Sequence, residues 1–97
     1  MKNENQFQAG LIKDIKALLP GVIVLKNDPN YLAGIPDLTV LYNGKWALLE
    51  VKKEQRAPHR PLQDYYIEKA ADMSYGFIIY PENKMEVLNE LCNALKS

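Results

Sequence analysis

Apolar residues recur at helical spacing near the start of the chain. Phe7, Leu11, Ile15 and Leu18 fall on one stripe, joined by Ile12 and Leu19, and Pro20-Gly21 ends the run. The pattern then changes period. Val22-Ile23-Val24-Leu25 is β-branched enough for a strand, Asn27-Asp28-Pro29-Asn30 is turn chemistry, and the stretch through Gly34 has no periodicity and reads as a loop. Leu38–Tyr42 and Trp46–Val51 are two strands around Asn43-Gly44, a strong signal for a type I′ hairpin turn. A polar, basic loop with Pro58 and Pro61 follows Val51. Leu62 to about Met73 is a second helix, with Leu62, Tyr65, Tyr66 and Ala70 near one face. Gly76–Tyr80 is nearly all apolar, as in a strand covered on both faces. After the break at Pro81, the residues Val87, Leu88, Leu91 and Leu95 mark a third amphipathic helix.

The predicted order is α-β-β-β-α-β-α, an α/β fold in which helices flank a mixed sheet of about four strands. The last strand can return beside an earlier one by a crossover through the second helix. Ninety-seven residues without repeat or linker make one domain, residues 1–97. No apolar run approaches the ~20 residues of a membrane span, and the polar start lacks the apolar core of a signal peptide, so an intracellular, cytoplasmic protein with no membrane partner is expected. Cys92, the one cysteine, sits in an apolar-periodic stretch and reads as a small core residue; with one histidine besides, a Cys/His zinc site is excluded.

Charge adds little in sum, since 12 basic and 12 acidic residues cancel. Its distribution says more. From Lys45 to Arg60 there are five basic residues against Glu50 and Glu54, with His59 alongside. Such a segment fits a phosphate-binding face and a solvated loop about equally.

The chemistry lies in Pro36-Asp37 and Glu50-Val51-Lys52. If Asn43-Gly44 forms a two-residue turn, Tyr42 pairs with Lys45, and counting outward brings Asp37 opposite Glu50. Their Cβ atoms would be ~5 Å apart on one face. Lys52, two residues past Glu50, points to that face, while the apolar Val51 points away. Glu-x-Lys alone is a common surface pairing. Two facing carboxylates are not, because each raises the other's pKa. A divalent cation resolves the conflict, and oxygen ligands at that separation suit Mg²⁺. A lysine alongside can steady the attacking water or the charge that develops on the phosphate.

Gly34-x-Pro36-Asp37, Glu50-x-Lys52 and Gln63 on the following helix together resemble the PD-(D/E)XK nuclease superfamily. Within it, the sequence is most similar to the virus-type replication-repair nuclease (VRR-NUC) group in its compact, stand-alone phage form. The element order is similar over essentially the whole chain. The resemblance implies a restriction-endonuclease-like core. It implies metal binding, Mg²⁺ with Mn²⁺ as substitute, by Asp37, Glu50 and the main-chain carbonyl of Val51. Lys52 would be the catalytic lysine, Gln63 a site-lining group, and Glu4 a further acid contributed by the first helix. Lys53, Arg56, His59 and Arg60 would line the approach of DNA. The implied activity is endonucleolytic cleavage of branched DNA, Holliday junctions or flaps, by a homodimer with no small-molecule cofactor. A non-cleaving module that binds DNA or a replication protein on the same fold remains open, as does RNA-directed or restriction-type cleavage. Tyr31, in the loop before Gly34, could stack or touch phosphate, and is more often a loop anchor.

Overall fold

In a computed structural model that describes residues 3–97, the seven predicted elements occur in the predicted order. They are α1 (Glu4–Leu18), β1 (Ile23–Lys26), β2 (Leu38–Tyr42), β3 (Lys45–Val51), α2 (Pro61–Met73), β4 (Tyr75–Ile79) and α3 (Lys84–Lys96), with one 3₁₀ turn at Pro81–Asn83. Helix α1 starts earlier than its apolar stripe, because Asn3 and Gln6 form a reciprocal capping box. No helix is long and apolar enough to cross a membrane among the described residues.

The four strands lie in the order β1-β2-β3-β4. The first three are antiparallel, and β4 runs parallel to β3. Asn43 (φ 55°) and Gly44 (φ 73°) both take positive φ, as a type I′ turn requires. Tyr42 pairs with Lys45 and Leu38 with Leu49, the register that this turn predicts.

Alternation along the strands divides the sheet into two faces. Leu38, Val40, Ala47, Leu49, Val51 and Ile79 meet Phe7, Leu11 and Ile15 of α1 and Val87, Leu88, Leu91 and Leu95 of α3 in one buried cluster. Lys84 bridges the two helices, pairing with Asp14 and lying 5.8 Å from the Phe7 ring centroid. The opposite face carries Thr39, Leu41, Trp46, Leu48 and Glu50. Helix α2 covers it only over β3 and β4, where Gly76 allows the close approach: a Cβ there would lie 2.3 Å from the carbonyl oxygen of Ile67. Strand β4 thus has a helix on each face, yet as the edge strand it is only half-buried apart from Ile79.

Helix α2 differs in part from its prediction. Ala70 is buried as expected, together with Ile67, while Leu62 and Tyr65 are exposed. The contact with Gly76 selects the 63/67/70 stripe, which turns Gln63 inward. Over β1 and β2 the same sheet face has no helix, and Ile23, Leu25 and Leu41 are exposed there.

Candidate metal centre

Asp37 stands one residue before β2, at the end of a loop fixed on two sides. Gly34 (φ 84°) lies so close to the first turn of α2 that a Cβ would come 2.3 Å from Leu62 Cβ. Pro36 is fully buried. The Asp37 carboxylate accepts a 2.7 Å hydrogen bond from the Val51 N–H through Oδ2. Val51 is apolar in side chain, so its contribution here is from the main chain. In an extended strand the N–H and C=O of one residue point to the same edge, so the Val51 carbonyl also faces the Asp37 side.

Glu50 is buried, with 2% exposure. Its Oε2 lies 3.3 Å from Lys52 Nζ, and its Oε1 is buried with no hydrogen-bond partner. Burial pushes the Glu50 carboxyl up to about 7, helped by the negative charge of Asp37 and opposed by the positive charge of Lys52. The repulsion predicted between the two carboxylates therefore shows at Glu50, as the second cause after burial.

Lys52 continues the sheet by one bond, its N–H donating to the Ile79 carbonyl, and so stays on the Glu50 face. Its ammonium donates to the Pro58 carbonyl and to Gln63 Oε1, each at 3.0 Å, besides pairing with Glu50. Three donors meet three acceptors, which fixes the group in direction. Gln63 comes from the inward stripe of α2. The loop that supplies Pro58 is itself held, because the Gln55 N–H donates to Glu82 in the 3₁₀ turn.

Asp37, Glu50, Lys52 and Gln63 line one cleft of about 320 Å³, together with Lys53, Arg60, Glu4 and Asn27. Glu4 is an exposed residue of the first helical turn at this cleft. Among the described residues no three His, Cys, Asp or Glu side chains are close enough to hold a metal by themselves, and Glu4 stands at the rim of the cleft that the two central acids line. Arg56 and His59 do not line the cleft; His59 instead faces Asp64, with Nδ1 3.1 Å from Oδ1. Tyr31 is 90% exposed, so its ring anchors nothing. A more apolar cleft of about 400 Å³ adjoins the first and shares Pro29, Ile35, Arg60 and Gln63 with it.

Asn27 is the residue that pattern alone passed over. As one polar residue among four in a turn it carries no signal, because its importance depends on the β1–β2 register. The pairing of Lys26 with Leu38 continues outward to Asn27 and Asp37, and the Asn27 N–H donates to the Asp37 carbonyl at 2.8 Å.

The donor set fits a small divalent cation. Each carboxylate uses one oxygen for positioning, Asp37 on the Val51 N–H and Glu50 on Lys52, and each has a second oxygen left over. For the ionised Glu50 that second oxygen is buried without a donor, a costly condition that a bound cation, or a proton shared with Asp37, would relieve. With the Val51 carbonyl, two carboxylates supply few enough ligands to suit Mg²⁺, which keeps several waters. Compared with protein-family models, curated proteins and solved structures, the chain matches none.

Proposed function

We propose that the chain is a Mg²⁺-dependent endonuclease of the PD-(D/E)XK type, in its VRR-NUC form, and that it hydrolyses phosphodiester bonds in DNA. The observation that carries this reading is the pair Asp37 and Glu50, which the β2–β3 register sets opposite each other when continued by one residue, with a Glu50 oxygen buried without a donor and Lys52 held beside it.

A metal bound by Asp37, Glu50 and the Val51 carbonyl would supply Lewis-acid stabilisation of phosphate charge and a water made acidic enough to attack at neutral pH. The chain's own groups do the rest. Glu50 must be deprotonated to serve as a ligand, and Lys52 favours that form. The ammonium of Lys52, held by Gln63 and Pro58, presents a fixed positive charge where negative charge develops on the phosphate. Lys53 and Arg60 stand at the cleft with basic groups suited to neighbouring phosphates.

Branched DNA is the substrate class we assign. A symmetric junction needs two cuts, hence two copies of so small a chain. The bare apolar strip of Ile23, Leu25 and Leu41 is a surface that a second copy could bury. The deciding experiment is cleavage of junction, flap, splayed, duplex and single-stranded DNA, and of RNA, with Mg²⁺, Mn²⁺ or EDTA. Metal-dependent cutting of branched DNA that disappears in Glu50→Gln is the expected result. Binding without cutting would favour a docking module, and preferential RNA cleavage would reassign the substrate.

A further inference from the structure

The geometry points to Asn27 as a positioning residue of the metal centre: it holds the main chain on both sides of Asp37 and so aims that carboxylate. Its Nδ2 donates to the Pro36 carbonyl at 2.8 Å, and its main-chain N–H donates to the Asp37 carbonyl at 2.8 Å. These two carbonyls belong to the peptide planes that flank the Asp37 Cα. Holding both planes sets φ and ψ at Asp37, and with them the direction of its Cα–Cβ bond. The hydroxyl of Thr39 donates to Asn27 Oδ1 at 2.9 Å. That bond orients the amide so that its NH₂, and not its oxygen, meets Pro36. Asp37 Oδ2 then lands 2.7 Å from the Val51 N–H, beside Glu50. The nine-residue excursion from Asp28 to Pro36 is thereby closed at its base.

This inference rests on the nuclease reading only in taking a divalent cation as the ligand. The test is Mn²⁺ binding, by calorimetry on protein freed of metal with EDTA, alongside near-UV circular dichroism and thermal unfolding. The native chain binds Mn²⁺, and Asp37→Asn abolishes that binding. Asn27→Ala weakens it by 10- to 100-fold, the usual range when a group that orients a metal ligand is lost. Thr39→Val weakens it less than Asn27→Ala does, as it removes only the bond that orients the amide. A merely structural asparagine would lower the unfolding temperature and leave the Mn²⁺ affinity of the folded protein unchanged. Native affinity in folded Asn27→Ala, with binding lost in Asp37→Asn, overturns the inference and leaves the nuclease reading standing. If Asn27→Ala does not fold, unchanged affinity in Thr39→Val overturns it. Absence of any Asp37-dependent Mn²⁺ binding in the native chain overturns both.

Discussion

Glu50 is buried opposite one carboxylate and beside one ammonium, and its protonation links the candidate chemistry to folding. Its pKa is raised from an ordinary 4.5 to about 7, so between those values the native state binds a proton that the unfolded chain has released. In EDTA, stability therefore falls as pH rises across that window and levels off above it. At ~1.4 kcal/mol per pH unit the total is at most a few kcal/mol, about 3 to 4. Thermal unfolding of native protein and Glu50→Gln from pH 5 to 8 checks this: the native melting temperature drops, and that of the variant is flatter. A cation and a proton compete for the same carboxylate. Cleavage at limiting Mg²⁺ should thus rise with pH through about 7, with a midpoint that moves lower as Mg²⁺ increases; a midpoint independent of Mg²⁺ would count against Glu50 as ligand. Lys52→Met, assayed well above pH 7 where Glu50 is ionised without it, should retain Mn²⁺ binding yet lower kcat at least 100-fold, because it removes charge stabilisation and leaves both carboxylates in place.

At the level of elements, Gly34 sets how closely the loop before β2 meets α2, and Gly44 sets the hairpin turn. At Gly34 a methyl group meets both a positive φ and Leu62 Cβ at 2.3 Å. At Gly44 it meets positive φ but open space. Gly44→Ala should cost about 1 kcal/mol, the strain of a left-handed residue in the turn. Gly34→Ala should cost ~2 kcal/mol or more, because the Gly34 loop and the start of α2 must separate. The second variant should also loosen Mn²⁺ binding, since the same loop carries Pro36 and Asp37. Denaturant unfolding and metal titration of both proteins separate the two effects; equal losses in stability would show that the Gly34–Leu62 contact yields easily. Both elements were partly legible in sequence. The Asn43-Gly44 turn fixes register through two residues whose φ preference is intrinsic, so Asp37 and Glu50 could be paired from the chain alone. The face of α2 was partly misread because Leu62 and Tyr65 are apolar and Gln63 is not. Packing against Gly76, a contact remote in sequence, chose the stripe with the glutamine.

For the whole molecule, one side of the sheet is closed by α1 and α3, and the other is only half covered by α2. The exposed strip of Ile23, Leu25 and Leu41 lies on that open half. If it joins two copies, sedimentation of the native chain should show a dimer, and Leu25→Glu should shift it to monomer. A folded, monomeric native protein at all concentrations would remove the two-copy arrangement. Net neutrality does not preclude DNA binding when Lys53 and Arg60 flank the cleft. Affinity for a branched DNA should fall with rising salt, and each neutralised residue of this pair should lower the logarithmic slope by roughly one phosphate contact.

The sequence by itself determined the element order, the mixed α/β architecture, the hairpin register and hence the opposition of Asp37 to Glu50, because periodicity and turn chemistry act over neighbouring residues. Only the tertiary structure decided how those groups are held. The burial that raises Glu50, the grip of Gln63 and Pro58 on Lys52, and the hold of Asn27 on Asp37 join segments separated by loops whose paths no local preference sets. The acids were visible as a pair in the chain. Their aim depends on contacts that exist only once β1, the Gly34 loop and α2 have closed around them.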